Sequence, residues 1–172
     1  LILGVLVVGN LRVIAETRQD IALSGGQGRF SASLIELATE LDAQPHARVV
    51  SLDWGFHEPL LFLTDRAEMI EPIWGIPRRV AAGQAWNFEG DQHTTYLIHG
   101  REYDLMGIGP SLLIAARTHP ELDPRIRAHR DGRGEIAFYS VVIEKPHTLN
   151  FDGRFTLEAR QGPDLSSPEP QI

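Results

Sequence analysis

Residues 24–64 read SGGQGRFSASLIELATELDAQPHARVVSLDWGFHEPLLFLT, and the architecture of the chain follows from them. Leu34, Leu37, Ala38 and Leu41 recur at i, i+3, i+4 and i+7, so a helix here has one apolar face, with Glu36, Thr39, Glu40 and Asp42 off it. Ser33 and Glu36 have the spacing of a capping box, and Pro45 lies just past the end, where a helix cannot continue. Ala47 to Leu52 is short, rich in valine and bounded by Pro45 and Gly55, the pattern of a buried strand. Glu58 and Pro59 suit the first turn of a second helix through Leu60–Leu63. Helix, strand and helix at this spacing belong to an α/β fold.

Outward from this block, Thr94–His99 forms another strand, stopped by Gly100. Glu71–Pro77 is expected as a loop carrying a buried Trp74, and Arg78–Glu89 as a short helix or an irregular excursion. Ser111 is expected to cap a helix over Leu112–Thr118, with Pro110 just outside it. Asp131-Gly132 between the runs 126–129 and 135–143 marks a hairpin, and Asp152-Gly153 marks a second within Thr148–Ala159. The expected fold is a single layered α/β domain over residues 15–160, with a mixed sheet of about four to six strands, flanking helices and a C-terminal β-hairpin. Residues 161–172, QGPDLSSPEPQI, have the composition of a disordered tail.

The amino-terminal residues 1–14 are almost wholly apolar, too short by themselves for a membrane span of about 20 residues and without the basic start of a signal peptide. Two readings stand: the end of a membrane helix, or an edge hairpin turning at Gly9-Asn10. A net charge of −7 argues against nucleic acid as a partner, because phosphates are neutralised by a basic surplus. The absence of cysteine excludes thiolate metal sites, disulfides and thiol catalysis.

Chemistry-bearing residues are few. Gly25-Gly26-Gln27-Gly28 with Arg29 ahead of a helix has the makings of a phosphate cradle, but no Walker-type lysine follows, and a plain connector is the commoner meaning of such a run. Asp53 stands at the carboxyl end of a strand, where open α/β sheets bind ligands, and equally where a turn carboxylate bonds its own backbone. Trp54 beside it is a stacking platform or core. His57 and His99 are candidates to converge on Asp53. The seven histidines show no ligand spacing, so no metal or other cofactor is expected. No nucleophile and base declare themselves, so no catalytic residue is assigned.

The segments GGQGRFSASLIELATELD (25–42), LDWGFHEPLLFLT (52–64) and TTYLIHGREYD (94–104) together resemble the extracytoplasmic carboxy-terminal part of bacterial GT-C-type membrane glycosyltransferases, the enzymes related to dolichyl-phosphate-mannose–protein mannosyltransferases. The resemblance covers roughly Ser24 to Tyr139. It implies a lipid-linked sugar donor, transfer on the outer face of a bacterial inner membrane, and acidic catalytic residues in membrane loops upstream of this chain. It further implies an accessory or acceptor-binding role here, with the membrane-embedded remainder of the polypeptide and a carbohydrate or lipid-linked sugar as partners. It favours the membrane-helix reading of residues 1–14. The alternative from residues alone is a free-standing, cytoplasmic phosphate- or nucleotide-binding protein or enzyme using Gly26, Gly28, Arg29 and Asp53.

Overall fold

The computed structural model describes residues 2–24, 31–44, 46–65, 70–71, 85–152 and 154–160. Its helices are α1 (Ile2–Ser24), α2 (Ser33–Asp42), α3 (His57–Leu63) and α4 (Gly109–Thr118), with a 3-10 turn at Pro120–Leu122. Its strands are β1 (Arg48–Ser51), β2 (Ile70–Glu71), β3 (Trp86–Gly90), β4 (Thr94–His99), β5 (Pro124–Arg130), β6 (Ile136–Ile143), β7 (His147–Phe151) and β8 (Phe155–Ala159).

The main sheet runs β2-β1-β4-β6-β5. Strand β1 is parallel to β4 and to the two-residue β2 at its edge, while β4–β6 and β6–β5 are antiparallel. The fold is therefore α/β with a mixed sheet, and the two expected hairpins are β5–β6 and β7–β8. The C-terminal hairpin lies apart from the main sheet. It pairs with β3 in a three-stranded antiparallel sheet of order β3-β7-β8.

Side-chain alternation along the strands builds a core on each face of the main sheet. On one face Val49 and Leu97 pack with Leu34, Leu37, Ala38 and Leu41 of α2 and with Phe56 and Leu60 beside and within α3. On the other, Val50, Leu52, Tyr96, Ile98, Val141 and Ile143 meet Leu112 and Ala116 of α4 and the second sheet through Phe88, Leu149, Phe151 and Leu157. Each fully buried side chain of this kind stabilises by roughly 1.5–3 kcal/mol. Tyr96 also ties the two sheets with a polar bond, its Oη lying 2.7 Å from His147 Nε2. Gly90 sits against this pair. A Cβ there would collide with Tyr96 Oη and lie 2.7 Å from His147 Nε2.

Several expectations need correction. The hairpin at Gly9-Asn10 does not form, because both residues lie inside α1, where the Asn10 side-chain amide donates to the Leu6 carbonyl four residues back at 2.9 Å. A helix satisfies its backbone groups locally, whereas a hairpin edge needs a partner strand. The boundary expected between residues 14 and 15 falls within this helix. The polar segment expected as a connection is helical as far as Ser24. Ser33 does not cap α2. Its hydroxyl bonds Ser31 Oγ at 2.8 Å, and Ala32 holds the cap position without a side-chain bond. Pro110 lies inside the first turn of α4, and Ser111 Oγ accepts the Phe155 N–H at 3.0 Å, tying α4 to β8. Residues 86–90 are neither helix nor excursion but β3, whose ladder partner lies some 60 positions later in β7. Trp74, the Gly25–Gly28 loop with Arg29, Gly153 and residues 161–172 lie outside the described residues.

One buried histidine gives the fold a pH signature. His129 of β5 bonds Ser140 of β6 at 2.8 Å and stacks on Phe138 at 4.4 Å. Burial, reinforced by the Arg127 charge and only partly opposed by Glu40, lowers its pKa from 6.5 to about 4. Burial also lowers the pKa of His147. The unfolded chain therefore binds more protons between pH 6.5 and 4, so stability falls as pH drops through that window, by at most about 3 kcal/mol for His129. Urea denaturation across this range should show that slope. His129→Gln, which keeps a donor toward Ser140, should flatten it, and an unchanged slope would assign the effect elsewhere.

Candidate functional site

Parallel strands β1 and β4 end side by side, and the two residues that the sequence offered at those ends meet there. Asp53 Oδ2 lies 2.8 Å from His99 Nδ1, and neither side chain is exposed to solvent. The register explains the meeting, since Ser51 pairs with Leu97, so the positions two residues on, 53 and 99, come level beyond the last bonded pair. Asp53 is held further from its own side of the turn. Its Oδ1 accepts the Trp54 N–H at 2.7 Å and the Leu105 N–H at 3.3 Å, while Ser51 Oγ donates to the Asp53 carbonyl at 2.8 Å. Gly55 completes the turn with φ of 101°, a conformation that side chains disfavour.

His99 is stacked as well as paired. The Phe56 ring stacks on it at 4.1 Å and 12°, and Phe138 meets Phe56 edge-on at 5.4 Å. The second ring nitrogen, His99 Nε2, is buried without a hydrogen-bond partner. With Nδ1–H donated to the carboxylate, Nε2 is left as an acceptor facing no donor.

A loop from Gly100 to Ile108 closes over this pair. Asp104 Oδ1 accepts the Met106 and Gly107 N–H groups at 3.1 and 2.9 Å. Burial and then the Asp53 charge raise the Asp104 pKa, against the pull of those backbone bonds. Close behind, a Cβ on Gly109 would lie 3.0 Å from the His99 carbonyl oxygen and 3.7 Å from Asp104 Oδ2, so α4 starts hard against the end of β4.

Of the sequence candidates, the fold brings Asp53, Trp54 and His99 together. Trp54 is 39 % exposed beside its buried neighbour. His57 is not part of the cluster. It opens α3, half-buried, with Nδ1 3.6 Å from Glu58 Oε1. Gly26, Gly28 and Arg29 lie outside the described residues. Phe56, Asp104 and Leu105 were missed, although Asp104 sits in the TTYLIHGREYD segment, five residues after His99. Among the described residues no group of three His, Cys, Asp or Glu side chains has metal-holding geometry.

At the opposite pole, where β1 and β4 begin, a cleft of about 510 Å³ is lined by His46, Arg48, Glu89, Asp91, His93 and Arg160 among others. Two of its charges pair with each other and a third bonds a backbone carbonyl. Arg160 pairs with Glu89 at 2.7 Å, and Arg48 donates to the Glu89 carbonyl at 2.7 Å.

The Asp53–His99 pair is thus a buried polar cluster whose carboxylate serves three hydrogen-bond donors, the His99 ring and the Trp54 and Leu105 N–H groups. Asp53→Ala would strand the imidazole and two backbone N–H groups, and should cost about 3–5 kcal/mol in urea denaturation. Asp53→Asn retains an acceptor for Trp54 and Leu105 and should cost less, about 1–3 kcal/mol. An alanine variant within about 0.5 kcal/mol of the parent would mean that the pole is held by something else.

No family model, no curated protein and no solved structure matches the chain.

Proposed function

We propose that the chain is a membrane-attached, extracytoplasmic α/β domain of a glycosyltransferase that uses a lipid-linked sugar, serving recognition or support while the chemistry is done elsewhere in the enzyme. The observation that carries the membrane part is α1. Leu6, Val7, Val8, Leu11, Val13 and Ile14 are all half or more exposed, and consecutive apolar positions point to every side of a helix. Such a helix is at home in an apolar surrounding. The first charge is Arg12, paired to Glu16 at 2.7 Å, so the uncharged turns precede a charged margin, as at an interface. No helix among the described residues is long and apolar enough to cross a membrane, so the reading is of a helix inserted at the interface. The glycosyltransferase part rests on the resemblance of residues 24–139.

Floated on a density gradient with phosphatidylcholine vesicles, the chain should rise with the lipid. Val8→Asp combined with Leu11→Asp should lower that partition at least about tenfold, since each buried carboxylate costs more than the 1.4 kcal/mol that a factor of ten requires. A parent that stays at the bottom of the gradient would sink the membrane part. A parent reading frame without apolar spans of about 20 residues would sink the glycosyltransferase part.

One observation favours a second reading, a phosphate-ligand site at the same pole: the buried His99 Nε2 without a partner. Against it, Asp53 is 1 % exposed and both its oxygens are engaged. Titration calorimetry with inorganic phosphate and with a nucleotide discriminates. The second reading requires heat that disappears in Gly28→Val and Asp53→Asn with the circular dichroism unchanged, and no heat in the parent removes it.

A further inference from the structure

We propose that the cleft where β1 and β4 begin binds a carbohydrate, held by its hydroxyls between arginine and carboxylate side chains. This deepens the reading above, resting on its recognition role alone, and gives that role a site and a ligand class.

The cleft lies where the two sheets meet. His46 precedes and Arg48 opens β1, the end of β3 and its turn into β4 supply Glu89, Asp91 and His93, and Arg160 follows β8. Backbone bonds fix all three walls. The Arg48 N–H donates to the His93 carbonyl at 2.8 Å, the Thr94 N–H to the Asp91 carbonyl at 2.9 Å, and the Arg160 N–H to the Pro146 carbonyl at 2.9 Å. Gly90 lines the cleft with backbone alone, lying so close to the Tyr96–His147 bond that a Cβ has no room. Walls already in place reduce the ordering cost of binding. The volume of about 510 Å³ falls within the range of small-ligand sites, about 300–1,000 Å³.

The charges decide the ligand class. Two arginines and two carboxylates line the cleft, so a ligand of either net charge meets repulsion as well as attraction. Nor do the two signs stand on separate walls. Arg160 Nη1 is 2.7 Å from Glu89 Oε2, and Arg48 Nη1 donates to the Glu89 carbonyl at 2.7 Å. A zwitterion, which needs its two charges met apart, is poorly served by that arrangement.

A hydroxyl is well served by it. Guanidinium only donates and carboxylate only accepts, whereas a hydroxyl donates one hydrogen bond and accepts two. Neighbouring hydroxyls on a sugar can therefore satisfy both kinds of side chain at once. Asp91 gives Oδ1 to its own turn, accepting the His93 N–H at 2.9 Å, and no bond among the described residues takes its other oxygen. The His46 and His93 rings meet edge to face, their centroids 6.0 Å apart, and both residues are exposed. Imidazole presents an apolar body with a polar tip, which suits the C–H face of a sugar ring bordered by hydroxyls.

Saturation-transfer NMR on the full chain tests this, with the methyl glycosides of mannose, glucose, galactose and N-acetylglucosamine and their disaccharides as probes. At least one should receive saturation, with a dissociation constant of about 0.1–10 mM. It should move the ring signals of His46 and His93 but not that of His119, which pairs with Glu121 outside the cleft. Asp91→Asn keeps an acceptor for the His93 N–H, and Arg160→Met keeps most of the side-chain stem. Each should weaken binding by a factor of about ten or more, with the melting temperature unchanged.

No transfer to any of these saccharides at about 10 mM overturns the proposal. So does binding that leaves the His46 and His93 signals in place or survives both variants. Tighter binding of inorganic phosphate, spermidine or glycine than of every saccharide overturns the ligand class and with it the proposal. A chain that floats with vesicles and binds no saccharide loses this site and keeps the membrane part. A chain that binds a saccharide and does not float keeps this site and loses the membrane part.

Discussion

A carboxylate and an imidazole, each wholly out of solvent and 2.8 Å apart, sit where the two central parallel strands end, and much of this domain hangs from their bond. Removing both groups from water is costly, and their attraction offsets that cost only with further hydrogen bonds. Asp53 obtains them from the Trp54 and Leu105 amides. Those bonds in turn set the β1–α3 turn and anchor the 100–108 loop. The loop delivers Gly109 against the last carbonyl of β4, which seats α4. One hydrogen-bond geometry thereby couples both helical layers at one pole.

The opposite pole is held differently. There the second sheet clasps the first through Tyr96 and His147, with Phe88 stacked on Tyr96 at 5.7 Å. Its polar cleft is lined by charged side chains, of which Arg160 and Glu89 pair with each other. The two poles divide the labour. One is built on a buried carboxylate–imidazole pair, the other on a polar cleft. An oriented body is what the proposed membrane-attached role asks for, and the asymmetry of surface chemistry is independent of that role.

Neither pole displays open catalytic machinery among the described residues. The carboxylate at the strand end is the usual place to look for chemistry in an α/β sheet, yet here it is consumed by structure. The one polar atom left over there, His99 Nε2, belongs to a ring covered by Phe56. On the proposed reading this is coherent, because a recognition or support domain uses its buried polar groups to fix loops in place.

Local signals determined a good part of this structure. The i, i+3, i+4, i+7 stripe of Leu34–Leu41 specifies α2, valine-rich 48–51 specifies β1, and Asp-Gly pairs place both hairpins, because in each case the deciding interactions fall within a few residues. The strand-end positions of Asp53 and His99 were readable for the same reason. What the tertiary structure alone decided involves partners far apart in the chain. Residues 86–90 become a strand only because β7 is there to accept their ladder. Gly9-Asn10 lie within a helix, and among the described residues no strand pairs with them. Ser111 serves β8 instead of capping its own helix. Asp53 reaches His99 and Leu105 across 46 and 52 positions. Hydrogen-bonding groups must be satisfied somewhere, but which distant group satisfies them is settled by packing, and packing has no short-range signature in a sequence.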